Sequence, residues 1–100
     1  MALMQITIIP MGTSTPSVGD HVAGVQNLLK DRQIKYQLCD MGTLIYGTAT
    51  ELLSLAAEIH EYPFGQGVER VVTNIVLDDR RDKDVGIGEK KAAVLQRLKV

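Results

Sequence analysis

Few side chains in this 100-residue chain stand at a spacing that does chemistry. Cys39 is the one cysteine, and no base lies near it in sequence to activate it as a thiolate nucleophile. His21 and His60 fall on separate predicted helices, without Cys, His or carboxylate neighbours at metal-ligand spacing, so both read as surface histidines. Asp78, Asp79, Asp82 and Asp84 form the kind of cluster that holds Mg²⁺. Arg80, Arg81 and Lys83 interleave with them and neutralise it, which predicts a solvated turn instead. Gly65-x-Gly67 and Gly86-x-Gly88 are too short for a phosphate-binding fingerprint. What repeats is Met-Gly-Thr, at Met11–Thr13 and Met41–Thr43, each at one end of a strand. Glycine there permits a positive φ or the close approach of a ligand. The two copies read either as plain turns or as a device placing the Thr13 and Thr43 hydroxyls at the rim of one pocket. No Ser-His-Asp set or acid–base pair can be assembled. These residues do not read as an enzyme's, and no metal and no cofactor is expected.

The elements that must position these groups follow from periodicity. Val68–Asp79 is the longest strand signal: Val71, Thr73, Ile75 and Leu77 share one face, while Arg70, Val72, Asn74 and Val76 share the other. Apolar residues on both faces predict a strand covered on both sides, either central or at a subunit contact. Asn74 interrupts the Val72–Val76 row and is expected to face a ligand. Leu3–Pro10 alternates as a first strand, with Met4, Ile6 and Ile8 on one face. Ser17 is placed to cap a helix over Val18–Arg32, with Asp20 three residues on and Val18, Val22, Val25 and Leu29 along one stripe. Ile34–Cys39 and Thr43–Thr48 predict a hairpin. Thr50 is expected to cap a second helix ending at Tyr62, before Pro63, and Gly88–Lys99 predicts a short last helix with Val94, Leu95 and Leu98 apolar.

Strand, helix, strand, strand, helix, strand is the split βαβ repeat of an α+β, ferredoxin-like βαββαβ sandwich, here with a C-terminal helix. The predicted four-stranded antiparallel sheet has spatial order four-one-three-two, with both long helices on one face. The other face, carrying Gln5, Thr7, Ile9, Lys35, Gln37 and Cys39, is too apolar to be left in water and too polar for a plain core. A second subunit or a ligand is expected to cover it.

Length predicts one domain over residues 1–100, with an aliphatic core: one Phe, three Tyr and no Trp against 45% hydrophobic residues. A net charge of −1 argues against nucleic acid or an anionic membrane as partner. The lone cysteine suits a reducing compartment, and the N-terminal run lacks a basic n-region. A cytoplasmic location is expected.

Several short motifs occur together in order: PMGT (Pro10–Thr13), SVGDHV (Ser17–Val22), YQLCDMGTLIYGT (Tyr36–Thr48), GVERVVTNIVLDDRRDK (Gly67–Lys83) and EKKAAVL (Glu89–Leu95). In these the chain resembles the small thiamine-binding-protein family, the UPF0045 or MTH1187/YkoF-like group. The resemblance implies a ferredoxin-like fold, self-association through the sheet face as homodimer or homotetramer, and binding of thiamine or its hydroxymethylpyrimidine part without catalysis. Where that family carries an acidic residue, as in MGT-x-I-E-G, this chain has Tyr46, whose ring could stack on a pyrimidine or meet a thiazolium by cation–π attraction. Gln37, Thr43 and Asn74 are the strand side chains expected to supply the donor and acceptors of an aminopyrimidine. The alternative is a regulatory or scaffolding homo-oligomer whose sheet face is only a subunit contact.

Ser17 yields the first prediction. If it caps the first helix, Ser17→Ala costs about 0.5–2 kcal/mol in urea unfolding, and a ligand contact adds an affinity loss beyond that. An unchanged unfolding midpoint would remove the capping role.

Overall fold

The strand β1 (Ala2–Met11) pairs on both sides, and the remaining elements arrange around it. The computed structural model describes residues 1–12 and 19–98; the expected cap Ser17 and the expected rim hydroxyl Thr13 lie outside the described residues. In chain order there follow α1 (Gly19–Asp31), β2 (Tyr36–Cys39), β3 (Gly42–Gly47), α2 (Ala49–Gly65), β4 (Arg70–Asp79) and α3 (Glu89–Arg97). The sheet is antiparallel with order β2-β3-β1-β4, the predicted arrangement.

Alternation in β1 sets which face is dry. Ala2, Met4, Ile6 and Ile8 are buried against Val25 and Leu29 of α1 and Leu52, Leu55, Ala56 and Ile59 of α2. Both helices therefore cover one face. Gln5 and Ile9 point to the other and are exposed. Register carries this pattern sideways: Ile6 faces Thr43 on β3 and Ile75 on β4, and Met4 faces Ile45 and Leu77.

The longest strand signal in the sequence belongs to an edge. β4 pairs only with β1, so it is not central, and Arg70, Val72, Asn74 and Val76 on its far face are exposed. Branched residues on both faces favour extended backbone and do not by themselves tell how many neighbours a strand acquires. Arg70 and Asn74 are thus exposed within the single chain.

Three features of the helices differ from expectation. Thr48, not Thr50, caps α2: its hydroxyl accepts from the Glu51 amide at 3.2 Å. The helix also runs through Pro63. Proline lacks the N–H for the preceding turn, but Pro63 is buried and its carbonyl accepts from Gln66 and Val68, closing the helix one turn later. Helix α3 buries nothing, and Val94, Leu95 and Leu98 are all exposed. Among the described residues no helix is long and apolar enough to cross a membrane.

Helices α1 and α2 end in the same hydrogen-bonded motif. After α1, the Ile34 amide donates to the Leu29 carbonyl at 3.3 Å and Gln33 to Lys30 at 3.1 Å. After α2, Val68 donates to Pro63 at 3.2 Å and Gly67 to Phe64 at 3.1 Å. Both are Schellman caps, which need a left-handed residue between the two donors' partners and the onward chain. Gly67 takes that conformation at φ 89°, whereas Gln33 takes it at φ 55° with a Cβ that resists it.

Opposite effects are therefore expected at the two caps. Gln33→Gly should raise stability by up to about 1 kcal/mol, the relief of left-handed strain less the freedom glycine adds to the unfolded chain. Gly67→Ala should lower it by about 1 kcal/mol. Urea unfolding reads both, and a destabilised Gln33→Gly would refute the strain at that cap.

Candidate functional site

A cavity of about 210 Å³ opens between α1 and the sheet, at the end where β1 finishes and the β2–β3 hairpin turns. Its walls are apolar: Ile6 and Ile8 from β1, Val22 and Val25 from α1, Ile59 from α2. Into this lining project two polar side chains, Gln26 and Thr43. Gln26 lies on the inward stripe of α1, one residue after Val25 and three before Leu29. Thr43 lies on the core row of β3 beside Ile45, because its register partner is Ile6. Thr43 is 5% exposed, a buried hydroxyl in an otherwise aliphatic layer.

These two groups meet. The Gln26 Nε2 donates to Thr43 Oγ1 at 3.0 Å. That leaves the Gln26 Oε1 buried with no hydrogen-bond partner among the described residues. A buried carbonyl without a donor costs about 1–3 kcal/mol, and native proteins rarely leave one. The residue that carries it lines the apolar cavity. The Asp40 carboxylate and Cys39 line the hairpin side of the same opening and are both exposed.

The hairpin is held by a close approach. Thr7 Oγ1 donates to the Met41 carbonyl at 2.8 Å, and a Cβ built on Gly42 would lie 2.8 Å from that same Thr7 oxygen. Gly42 therefore keeps the turn against β1, and Gly12 in the other Met-Gly-Thr copy takes φ 71°. Each copy uses one of the two properties expected of its glycine.

The residues singled out from sequence divide between two faces. Thr43 enters the cavity on the helix side. Gln37 and Tyr46 lie on the opposite face, lining a shallow depression of about 590 Å³ with Lys35, Asp84 and Glu89. There the Tyr46 hydroxyl donates to the Asp84 carboxylate at 2.6–2.7 Å, and the Lys35 ammonium sits 5.7 Å from its ring centroid. Asn74 is on β4, at the other edge of the sheet, paired in register with Thr7. The structure thus does not bring Gln37, Thr43 and Asn74 into one plane. The sequence reading missed Gln26; the signal was a polar residue in the Val22–Val25–Leu29 stripe, where apolar spacing predicts another aliphatic side chain.

The remaining polar groups are accounted for elsewhere. His60 Nδ1 lies 2.6 Å from Thr73 Oγ1, with its ring edge-on to Phe64 at 5.4 Å. Among the described residues no group of three His, Cys, Asp or Glu side chains could hold a metal ion. The charged turn is paired within itself, Arg80 with Asp82 and Arg81 with Asp79, and the Arg80 hydrogen bonds hold the Asp82 carboxyl down at about 2.

Comparison with known proteins places the chain among relatives along nearly its whole length. The model of the thiamine-binding protein family matches residues 4–95. The chain is 48% identical to the UPF0045 protein YqgV of Bacillus subtilis, over 98% of each chain. It is 33% identical to a UPF0045 protein of Methanothermobacter thermautotrophicus, over 98% of this chain and 100% of the other. The crystal structure of MJ1052 from Methanocaldococcus jannaschii superposes with a TM-score of 0.80 at 30% identity, covering 97% of both chains.

The Tyr46–Asp84 contact generates a pH prediction. The hydrogen bond to Asp84, then partial burial and the negative charges of Asp84 and Glu89, raise the Tyr46 phenol above its ordinary 10.0. The neutral phenol is the donor, so the tie is present below pH 10 and is lost as pH climbs through the raised value. Ultraviolet titration should find one of the three tyrosines ionising late. Asp84→Ala should return it towards the usual range; an unchanged titration would show that the contact does not persist in solution.

Proposed function

Because this chain belongs to the thiamine-binding protein family, we propose that it is a cytoplasmic, non-catalytic binding protein whose α1–sheet cavity takes thiamine or a hydroxymethylpyrimidine-type precursor. The observation that carries this reading is an apolar cavity lined by Gln26 and Thr43, with the Gln26 Oε1 buried and without a partner among the described residues. An aminopyrimidine supplies what that atom lacks. Once the Gln26 side chain turns into the cavity, the exocyclic amine would donate to Oε1, the ring nitrogen would accept from the Thr43 hydroxyl, and the ring faces would lie against Ile6, Ile8 and Val25. A cavity of 210 Å³ is smaller than the roughly 300–1,000 Å³ of drug-sized sites, so it suits one ring. The thiazolium of thiamine would then remain at the mouth, where the Asp40 carboxylate offers opposite charge. Among the described residues the titratable groups lining the cavity are Cys39 and Asp40, both exposed, which supports binding without acid–base catalysis. Of the residues singled out from sequence, Thr43 is the one assigned to the ligand.

Thermal-shift screening with thiamine, its phosphates and hydroxymethylpyrimidine tests the reading. A ligand at 100 times its dissociation constant adds about 2.7 kcal/mol of stability. Gln26→Met should cut affinity about tenfold or more, one lost hydrogen bond. It should leave the unliganded protein about as stable, because it also removes an unsatisfied buried carbonyl. No shift with any of these compounds would refute the assignment.

The exposed sheet face favours a second role on the other side of the molecule. Val76 is 63% exposed, and Val72 and Ile9 are exposed beside it. Self-association there, as homodimer or homotetramer, is compatible with ligand binding because the cavity lies behind the sheet. Light scattering should find an oligomer at micromolar concentration, and Val72→Asp should dissociate it by placing an unpaired carboxylate in the contact. A monomeric parent protein would rule this out.

A further inference from the structure

Among the described residues β4 pairs on one side only, with β1, along its whole length. Which backbone groups its open edge leaves free follows from the ladder. A Cβ built on Gly42 would lie 3.3 Å from the Ile6 carbonyl oxygen, so Ile6 turns its carbonyl toward β3. In an antiparallel sheet the N–H and C=O of one residue point to the same neighbour, and successive residues alternate. Thr7 therefore exchanges hydrogen bonds with Asn74 on β4. Ile75, opposite Ile6, turns its amide and carbonyl to the open edge, as do Val71, Thr73 and Leu77. Pro10 agrees with this phase: it has no N–H to donate, and its partner Val71 points away from it. Apolar side chains are exposed along the edge on both faces. Val72 and Val76 are exposed on the outer face, and Ile75 is 43% exposed although it lies on the helix side. On α2, His60 reaches Thr73, and Leu53 and Phe64 share its stripe and are exposed too.

We infer that β4 pairs laterally with β4 of a second copy of this chain, antiparallel about a two-fold axis at Asn74. Stacking on the outer face would leave Ile75 and Leu53 wet, whereas a strand added at the edge covers both faces at once. The strand is its own complement in this register. Arg70 falls opposite the partner's Asp78 and Val72 opposite the partner's Val76. Val71 and Thr73 exchange backbone hydrogen bonds with the partner's Leu77 and the partner's Ile75. Asp78 already meets Lys90 of α3, so the guanidinium joins an existing ion pair. Glu69 falls opposite the partner's Asp79, a position where Arg81 holds the carboxylate. Sliding the pair by two residues sets Arg70 against the partner's Arg80 or the partner's Val76, so charge selects the register. That match of charge and length to itself assigns the added strand to this chain and not to a foreign extended peptide. The contact is separate from the sheet-face contact and from the cavity, and it stands or falls without them.

Cysteine trapping in the intact chain tests it, with Cys39→Ser as background because Cys39 is free and exposed. At the axis Asn74 meets its own copy in a non-hydrogen-bonded pair, whose Cα atoms lie about 4.5 Å apart, within disulfide reach. Asn74→Cys should therefore give a covalent dimer on mild oxidation. Val72→Cys lies opposite position 76 and not opposite itself, so it should stay uncross-linked under the same conditions. Ile75→Lys, placed where the single chain already exposes the side chain, should halve the mass seen by light scattering at micromolar concentration and leave the circular dichroism unchanged. Cross-linking at 72 and not at 74 would point to a stacked outer face and overturn the lateral pairing. A monomeric parent protein, or an unchanged mass in Ile75→Lys, would overturn it as well. Where Asn74→Cys does not fold, the mass of Ile75→Lys decides.

Discussion

The two-sided pairing of β1 is the constraint from which the rest of the structure follows. Its inward row, Ala2, Met4, Ile6 and Ile8, is buried throughout, while its outward row is partly or fully wet. Side chains alternate with period two, so a slip of one residue against either neighbour would reverse that neighbour's faces. The ladder with β3 therefore does more than build a sheet. By setting Thr43 opposite Ile6, it turns a hydroxyl inward beneath α1 and turns Tyr46 outward opposite Leu3. A slipped hairpin would exchange the two, and the cavity would lose its hydroxyl. Gly42 and the Thr7–Met41 hydrogen bond secure this register at the turn itself.

On that frame the cavity is a local departure from what stability alone would select. An aliphatic side chain at position 26 would complete the stripe of α1, and an aliphatic side chain at 43 would complete the row of β3. Instead the chain places an amide and a hydroxyl there, hydrogen-bonds them once, and leaves a carbonyl without a partner among the described residues. Local choices elsewhere agree with the fold, including the Thr48 cap and the Gly67 turn. Sites that break such agreement without a structural gain are where function is expected. The unpaired oxygen is thus more informative about this protein than its conspicuous charged turn, whose ions satisfy one another in water.

The sheet separates two tasks. One face, under the helices, holds the cavity; the other carries apolar side chains among polar ones, with Tyr46 and Asp84 tying the segment after β4 onto the sheet. Under the proposed reading a subunit contact and a ligand would not compete for one surface, as they do when all polar strand residues are assigned to a single face. The exposed apolar residues of α3 stand apart from both and are buried by nothing among the described residues.

Element order, strand order and the side on which the helices lie were legible in the amino-acid sequence, because they follow from local periodicity and the handedness of crossovers. The family was legible too, through several short motifs in order. The exposure of β4's outer face in the single chain was not, since β-branched residues favour extended backbone whether or not that face is covered. Nor was the passage of α2 through Pro63, which depends on burial of its ring and on a cap formed with Val68. The cavity's polar pair was half legible. Thr43 stood out in a repeated motif, but Gln26 acquires meaning only when α1 is laid across β3 and the two side chains come within 3.0 Å. Periodicity acts over neighbouring residues and can be read along the chain. A contact across 17 residues depends on register, helix placement and packing together, and these are settled only when the chain folds.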